Sequence, residues 1–273
     1  MLAEVLNTFV YRMIGMKYLL LLIWWFSLPY CTVSQEAINK IDANGMKTGR
    51  WVSRYPGGTL KYEGSFEQNK PVGQWKRYHE NGKVKALMSY RPHSDRVFAS
   101  LFDDEGNLYA KGVFVGSLRD STWNFYDGSQ LLMIENYHLG KREGKATGFY
   151  KDGKVRWEKW WKADLAEGKA IEYDPAGIVK SEIFYKADKK NGPAIFYDEK
   201  GAKNVEGAYK DDLSDGTWKI YDIGGKLKYQ VKYDKGEILN KGTLDTLQIN
   251  EFKKYDKVKG KIPEPKANET GFP

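Results

Sequence analysis

Cysteine is almost absent from this 273-residue chain, and the single Cys31 lies ahead of everything that reads as folded. Neither a disulfide framework nor a cysteine metal site can therefore hold the body together. Histidine is nearly as scarce: His79, His93 and His138 share no i, i+2 or i, i+4 spacing and read as polar turn residues, so no metal or other cofactor is expected. There is no GxSxG, no HExxH and no glycine-rich phosphate loop ahead of a helix. Asp and Glu fall mainly at turns, where hairpin chemistry wants them, and the chain is read as a non-enzyme. No apolar run reaches the roughly 20 residues of a membrane-spanning helix, and a low mean hydropathy excludes an integral membrane body.

The one short apolar run has a different meaning. Residues 17–34, KYLLLLIWWFSLPYCTVS, place Lys17 ahead of an apolar stretch from Tyr18 to Leu28, with Thr32 and Ser34 at the minus-three and minus-one places of a cut before Gln35. This is the layout of a secretory signal peptide, expected over residues 1–34, with 1–15 reading as an over-extended start before Met16. Acylation at Cys31 is disfavoured by the bulky Tyr30 beside it. Removing residues 1–34 takes away Arg12, Lys17 and Glu4, so the net charge of +8 becomes +7. Export to the periplasm, cell envelope or exterior removes nucleic acid from the expected partners of that charge.

What the chain has in quantity is glycine, 28 residues, and aromatics, 15%. They are arranged with a period of 24. Openings fall at Gly49, Gly73, Val97, Asp120, Gly144, Gly168, Gly192 and Gly216, and a turn glycine follows nine places later (Gly58, Gly82, Gly106, Gly153, Gly177, Gly201, Gly225), with Gly128 early in the fourth unit. A fixed period of this length marks a repeat architecture. Turns such as HENGK, DDEGN, DPAGI and DEKGA suit hairpin loops with glycine in the left-handed position. Residues on alternate positions after the turn, such as Val84, Ala86, Met88 and Tyr90, put one apolar face on the second strand.

The expected fold is all-β: an elongated, twisted antiparallel sheet of about eight stacked 24-residue hairpins, some sixteen strands. A structural spine is expected from Trp51, Trp75, Tyr78, Tyr90, Trp123, Tyr126, Tyr173, Tyr185, Tyr197, Tyr209, Trp218, Tyr221 and Tyr233. Trp or Ala two places into each unit suggests that one column of side chains is being filled to a fixed volume. Residues 35–44 read as a linker and 45–239 as the array. Residues 240–256 read as a short helical cap, with apolar residues at three- and four-residue steps, and 257–273 as a disordered tail.

These residues resemble the MORN repeat, on Gly49-Trp51, Gly73-Trp75-Tyr78 with Asn81-Gly82, and Gly216-Trp218-Tyr221 with Gly225, and more closely the variant repeats of the YwqK-family antitoxins. The resemblance covers residues 45–239 and implies a sheet of stacked hairpins. It carries over no catalytic residue, because its motif consists of turn glycines and packing aromatics.

For function, a repeat sheet offers a long surface that can vary without disturbing its spine, which favours a scaffold binding a protein partner. The alternatives are an antitoxin or immunity-like protein, which the resemblance suggests and export opposes, and adhesion to anionic lipid or wall polymer through Gly140-Lys141-Arg142 and Ala187-Asp188-Lys189-Lys190. A candidate partner-binding patch is formed by Leu132, Ile134, Trp160 and Phe184, apolar residues on the face that elsewhere is polar. Self-association would instead bury this patch as a second small core.

Overall fold

The computed structural model describes residues 37–244 and 248–250. The signal peptide and the tail expected from the sequence lie outside these residues, as do the first two residues of the linker and much of the cap. Within them, the cap region shows a 3-10 turn at Lys241–Thr243 and helical residues 248–250. No described helix is long and apolar enough to cross a membrane.

The rest is one antiparallel sheet of nineteen strands. Eight hairpins follow in chain order: β2 (Lys47–Arg54) with β3 (Leu60–Glu67), β4 (Lys70–Tyr78) with β5 (Val84–Tyr90), β6 (Arg96–Phe102) with β7 (Leu108–Val115), β8 (Leu118–Asp127) with β9 (Gln130–His138), β11 (Gly144–Phe149) with β12 (Val155–Lys162), β13 (Leu165–Tyr173) with β14 (Val179–Lys186), β15 (Lys189–Tyr197) with β16 (Lys203–Lys210), and β17 (Leu213–Tyr221) with β18 (Leu227–Asp234). Three two-residue strands complete it. β1 (Lys40–Ile41) and β19 (Glu237–Ile238) lie at the ends, and β10 (Lys141–Arg142) is the detached start of the fifth unit's first strand. All eight turn glycines adopt left-handed backbone, with φ from +59° to +92°.

The opening glycines have a separate task. Where one unit meets the next, the ladder slips by two residues: Lys159 pairs with Ala170, but Trp161 pairs with Ala166, and Glu167-Gly168-Lys169 bow out between them. Gly168 makes this bulge at φ +87°, and Gly49, Gly73, Gly144, Gly192 and Gly216 also have positive φ. In the fourth unit the left-handed residue is Ser121 at φ +59°, so the true opening is Ser121 and not Asp120. The third unit has Val97, whose branched Cβ resists positive φ. There β5 and β6 pair without any slip, and the slip returns at the next junction, between Lys111 and Val113.

Counting from the opening residue as zero, the junctions obey a size rule at an interval of eleven. A tryptophan at +2 lies on a glycine at +15 of the preceding unit: Trp75 on Gly64, Trp123 on Gly112, Trp218 on Gly207. A Cβ at any of these glycines would come within 2.1 or 2.2 Å of the indole. Where +2 is alanine, a larger residue stands opposite: Met88 for Ala99, Lys159 for Ala170, Ile183 for Ala194. Each of the three indoles also donates to a backbone carbonyl beside the bulge, Trp75 to Ser65 (3.1 Å), Trp123 to Val113 (3.0 Å) and Trp218 to Ala208 (3.1 Å). The fixed column volume expected from the sequence is thus met by complementary sizes across each junction.

Candidate functional site

The sheet has an inner face, carrying the indoles, and an outer face. Cross-strand pairs share a face, and one row of pairs can be followed across the outer side: Asn124, Ile134, Thr147, Glu158, Ile171, Glu182, Ile195, Glu206, Lys219, Gln230. Of the expected spine, Trp75, Trp123, Trp218, Tyr209 and Tyr233 are buried on the inner face. Trp51, Tyr90 and Tyr185 are half-buried there.

The tyrosines at +5 are on the other side. Trp at +2 and Tyr at +5 differ by an odd number of residues, so a strand must point them to opposite faces. Tyr78 donates to Glu63 (2.7 Å) and Tyr221 to Glu206 (2.6 Å), both outer-face carboxylates. Tyr126 lies under the Lys111 ammonium, and Tyr173 and Tyr197 sit in the fields of Glu158 and Glu182. These five form a second, outer ladder instead of joining the spine. Desolvation, and then the bond to Glu63, push the Tyr78 hydroxyl up to about 12. Bonds from Lys203, Tyr221 and Lys219 hold Glu206 down at about 2 against a smaller opposing effect of burial.

The expected patch is divided. Ile134, Trp160 and Phe184 lie on the outer face, where Ile134 pairs with Thr147, Trp160 with Lys145 and Phe184 with Lys169. Phe184 is 37% exposed, while Trp160 and Ile134 are half-buried. Leu132 does not share their surroundings. It falls in the bulge at the hairpin end, between Leu131 and Met133, and packs against the inner cluster of Met133, Ala146, Trp157, Trp161 and Ala166. Two residues absent from the sequence-based patch join it: Ile171 and Ile195, which flank Glu182 on the outer row. In the sequence they are apolar residues at +3 of first strands, outside the second-strand alternation that defines the expected patch. Lys145 bonds Glu158, and Lys169 bonds Glu182 at 2.8 Å, so the charges around the patch are paired.

A second apolar pair stands at the unbulged third unit. Leu87 (37% exposed) and Phe98 (40%) border a shallow concavity of about 520 Å³ with Gln74, Ser89, Ser100, Lys111, Thr122 and Asn124. The Arg91 guanidinium lies 4.6 Å from the Phe98 ring.

The densest titratable cluster surrounds Asp120. Its carboxylate accepts from Ser121 Oγ (3.0 Å) and the Leu139 N–H (3.4 Å), with Arg96 at 3.3 Å and His138 Nδ1 at 3.6 Å. Ser, His and Asp are all present, but the serine donates to the aspartate and to no imidazole. No base is placed to activate it. The cluster instead supports a bulge built on serine in place of glycine. Among the described residues no group of three or more His, Cys, Asp or Glu could hold a metal ion.

The lysine-rich turns are also engaged within the fold. The Arg142 guanidinium lies 3.5 Å from the Trp161 ring and bonds Asp164, and Lys190 lies 5.0 Å from the Tyr209 ring. The side chains of Asn69, Asp164, Asp188 and Asp212 each accept the backbone N–H of Lys47, Arg142, Ala166 and Lys190 one unit earlier, tying successive turns together.

No curated protein matches the chain. A solved structure described as "Crystal Structure of TarM" matches over 45% of this chain and 20% of its own length at 13% identity, with a TM-score of 0.19, a likeness that carries no argument. The profile of the MORN repeat variant matches residues 47–68, 71–91, 166–187 and 214–235, so the first, second, sixth and eighth hairpins are similar to that repeat.

Proposed function

We propose that this chain is an exported, non-enzymatic scaffold that binds a protein partner through the outer face of its sheet, around Trp160 and Phe184. The observation that carries the reading is the outer row itself. From Asn124 to Gln230 it is polar at either end and apolar in the middle, where Ile171 and Ile195 alternate with the paired carboxylates of Glu158, Glu182 and Glu206, with Ile134, Trp160 and Phe184 on the same face. Residues at equivalent places in successive units lie about 10 Å apart, two strand spacings, so Trp160 and Phe184 can contact one partner together. Aromatic anchors ringed by satisfied polar groups are the usual composition of a binding hot spot.

The test is Trp160→Ser with Phe184→Ser, assayed by affinity capture from the cell envelope of the source organism and by thermal melting. Loss of one specific captured protein with the melting temperature held is the expected result. A collapse of stability would show that these residues only pack. If the captured partner is a toxin whose activity the chain abolishes, the scaffold acts as an antitoxin; recovery of lipid or wall polymer alone would overturn the protein-partner reading.

A further inference from the structure

The two ends of the array are finished in the same way. At the start, the Asn39 side chain donates to the Val52 carbonyl (3.0 Å) and accepts from the Val52 N–H (2.8 Å). At the finish, Asn240 donates to the Gln230 carbonyl (3.1 Å) and accepts from the Lys232 N–H (2.9 Å). Asn240 falls 24 residues after Gly216, where a ninth opening would stand. In each case a side-chain amide imitates the peptide of a missing strand.

The groups so occupied are the ones that join units inside the array. There, +14 of one unit pairs with +3 of the next, as Glu63 does with Lys76 and Glu206 with Lys219. Gln230 is the +14 residue of the last unit, and Val52 is the +3 residue of the first. Each unit contributes two strands of opposite direction, so β18 of one copy would meet β2 of a following copy antiparallel, as β16 meets β17. The two ends are the halves of one more junction, each lined besides by a two-residue strand, β1 on Lys47 and Thr48 and β19 on Tyr233 and Asp234.

The size rule guards that same junction. A copy-to-copy contact would set Trp51, at +2, against Val231, at +15. Every internal tryptophan at +2 that has a preceding unit faces glycine, because a Cβ there would press into the ring at 2.1 or 2.2 Å. Val231 is fully buried, in a cluster with Trp218 and Tyr233 against which Ile238 and Leu244 pack, and has no room to swing aside. At the free end, the Trp51 indole turns its N–H to the Thr48 carbonyl (3.2 Å), whereas the internal indoles bond across a junction.

We propose that the two ends of this array are complementary strand surfaces for a second copy of the same chain, held closed by the short strands β1 and β19, by the Asn39 and Asn240 plugs and by the mismatch of Trp51 with Val231. Open sheet edges invite such pairing, and an array with matched ends would grow without limit.

Sedimentation velocity and negative-stain microscopy of the full chain test it. The wild-type chain and the Asn39→Gly, Asn240→Gly double variant are expected to show no end-to-end growth, because the size clash persists. Adding Val231→Gly should produce concentration-dependent linear oligomers. Since Val231→Gly also empties a buried site, a second route adds Trp51→Ala instead, making the alanine-against-large junction already present at Ala194 and Ile183 and leaving Val231 in place. Linear growth by either route, with circular dichroism showing intact sheet, supports the proposal. Monomers from both folded triple variants at the highest soluble concentration would overturn it, as would equal growth of the double variant or of wild type.

Discussion

At the junction of the seventh and eighth units, the Trp218 indole lies against the bare backbone of Gly207, donates to the Ala208 carbonyl and is ringed by Phe196, Tyr209 and Tyr233. At the junction of the fifth and sixth, the same column holds Ala170 beneath the stem of Lys159, whose ammonium lies 4.2 Å from the Trp161 ring and 5.2 Å from that of Tyr185. Arg142 sits at 3.5 Å from Trp161, and the buried Trp161 indole N–H has no hydrogen-bond partner among the described residues. Nearby, the carboxylate of Glu135 is buried and accepts from Tyr137, whose hydroxyl also receives Arg119 (3.3 Å). The volume filled is similar in both regions, but the chemistry differs. At the ends it is dry aromatic on glycine, while in the middle cations and a buried acid work against aromatic rings. Size is what a junction requires; polarity is free to vary so long as each charge finds a ring or a partner. The repeat profile matches neither residues 92–165 nor 188–213, and within the first of these stretches the glycine and tryptophan places of the fifth unit are exchanged. Gly148, for instance, is on a first strand and receives Trp157 from a second, reversing the usual order.

The sharpest way to break this comparison is to convert one junction into the other. Trp218→Ala should cost about 3–5 kcal/mol, the range for truncating a buried aromatic. Adding Gly207→Ile should recover a large part of it, because the result copies the Ile183–Ala194 junction. Urea unfolding of the two variants measures this, and a double variant no more stable than Trp218→Ala would show that volume is not the rule. A smaller effect is expected in the middle. Arg142→Met keeps the stem over Trp161 but removes the cation, and should cost on the order of 1 kcal/mol; a neutral result would mean that the stem alone covers the ring.

The smallest effect concerns the outer face. Glu206 is held at about 2 against an ordinary 4.5, so its carboxylate stabilises the fold fully above about pH 4.5, and that contribution is lost as pH falls toward 2. With the side chain 24% exposed, solvent screening leaves about 1 kcal/mol or less. Melting temperatures of Glu206→Gln and wild type should therefore differ at pH 6 and converge near pH 2. A difference that survives at pH 2 would assign the effect to lost packing.

Much of this architecture is readable in the letters. The turn glycines, the alternation after them and the 24-residue period mark the hairpins, and the eleven-residue relation between Gly64 and Trp75 or Ile183 and Ala194 is present in the sequence for anyone who counts it. The tyrosines at +5 leave the expected spine because parity along the strand, not aromatic character, decides the face. Leu132 leaves the expected patch because the hairpin-end bulge breaks the strand alternation there. The opening of the fourth unit moved from Asp120 to Ser121 because a left-handed serine gives no compositional signal.

By itself the sequence determined the hairpins, their number and their order, because turns and alternation are local and each is written within some ten residues. Only the tertiary structure decided how hairpins join. The two-residue slip at each left-handed opening resets the register between neighbours, beyond the reach of any single strand's pattern. That slip sets which carbonyl each indole meets and which residue stands opposite it. The ends, too, were settled in three dimensions, where Asn39 and Asn240 take up backbone groups of strands eight or more residues away that no local pattern assigns to them.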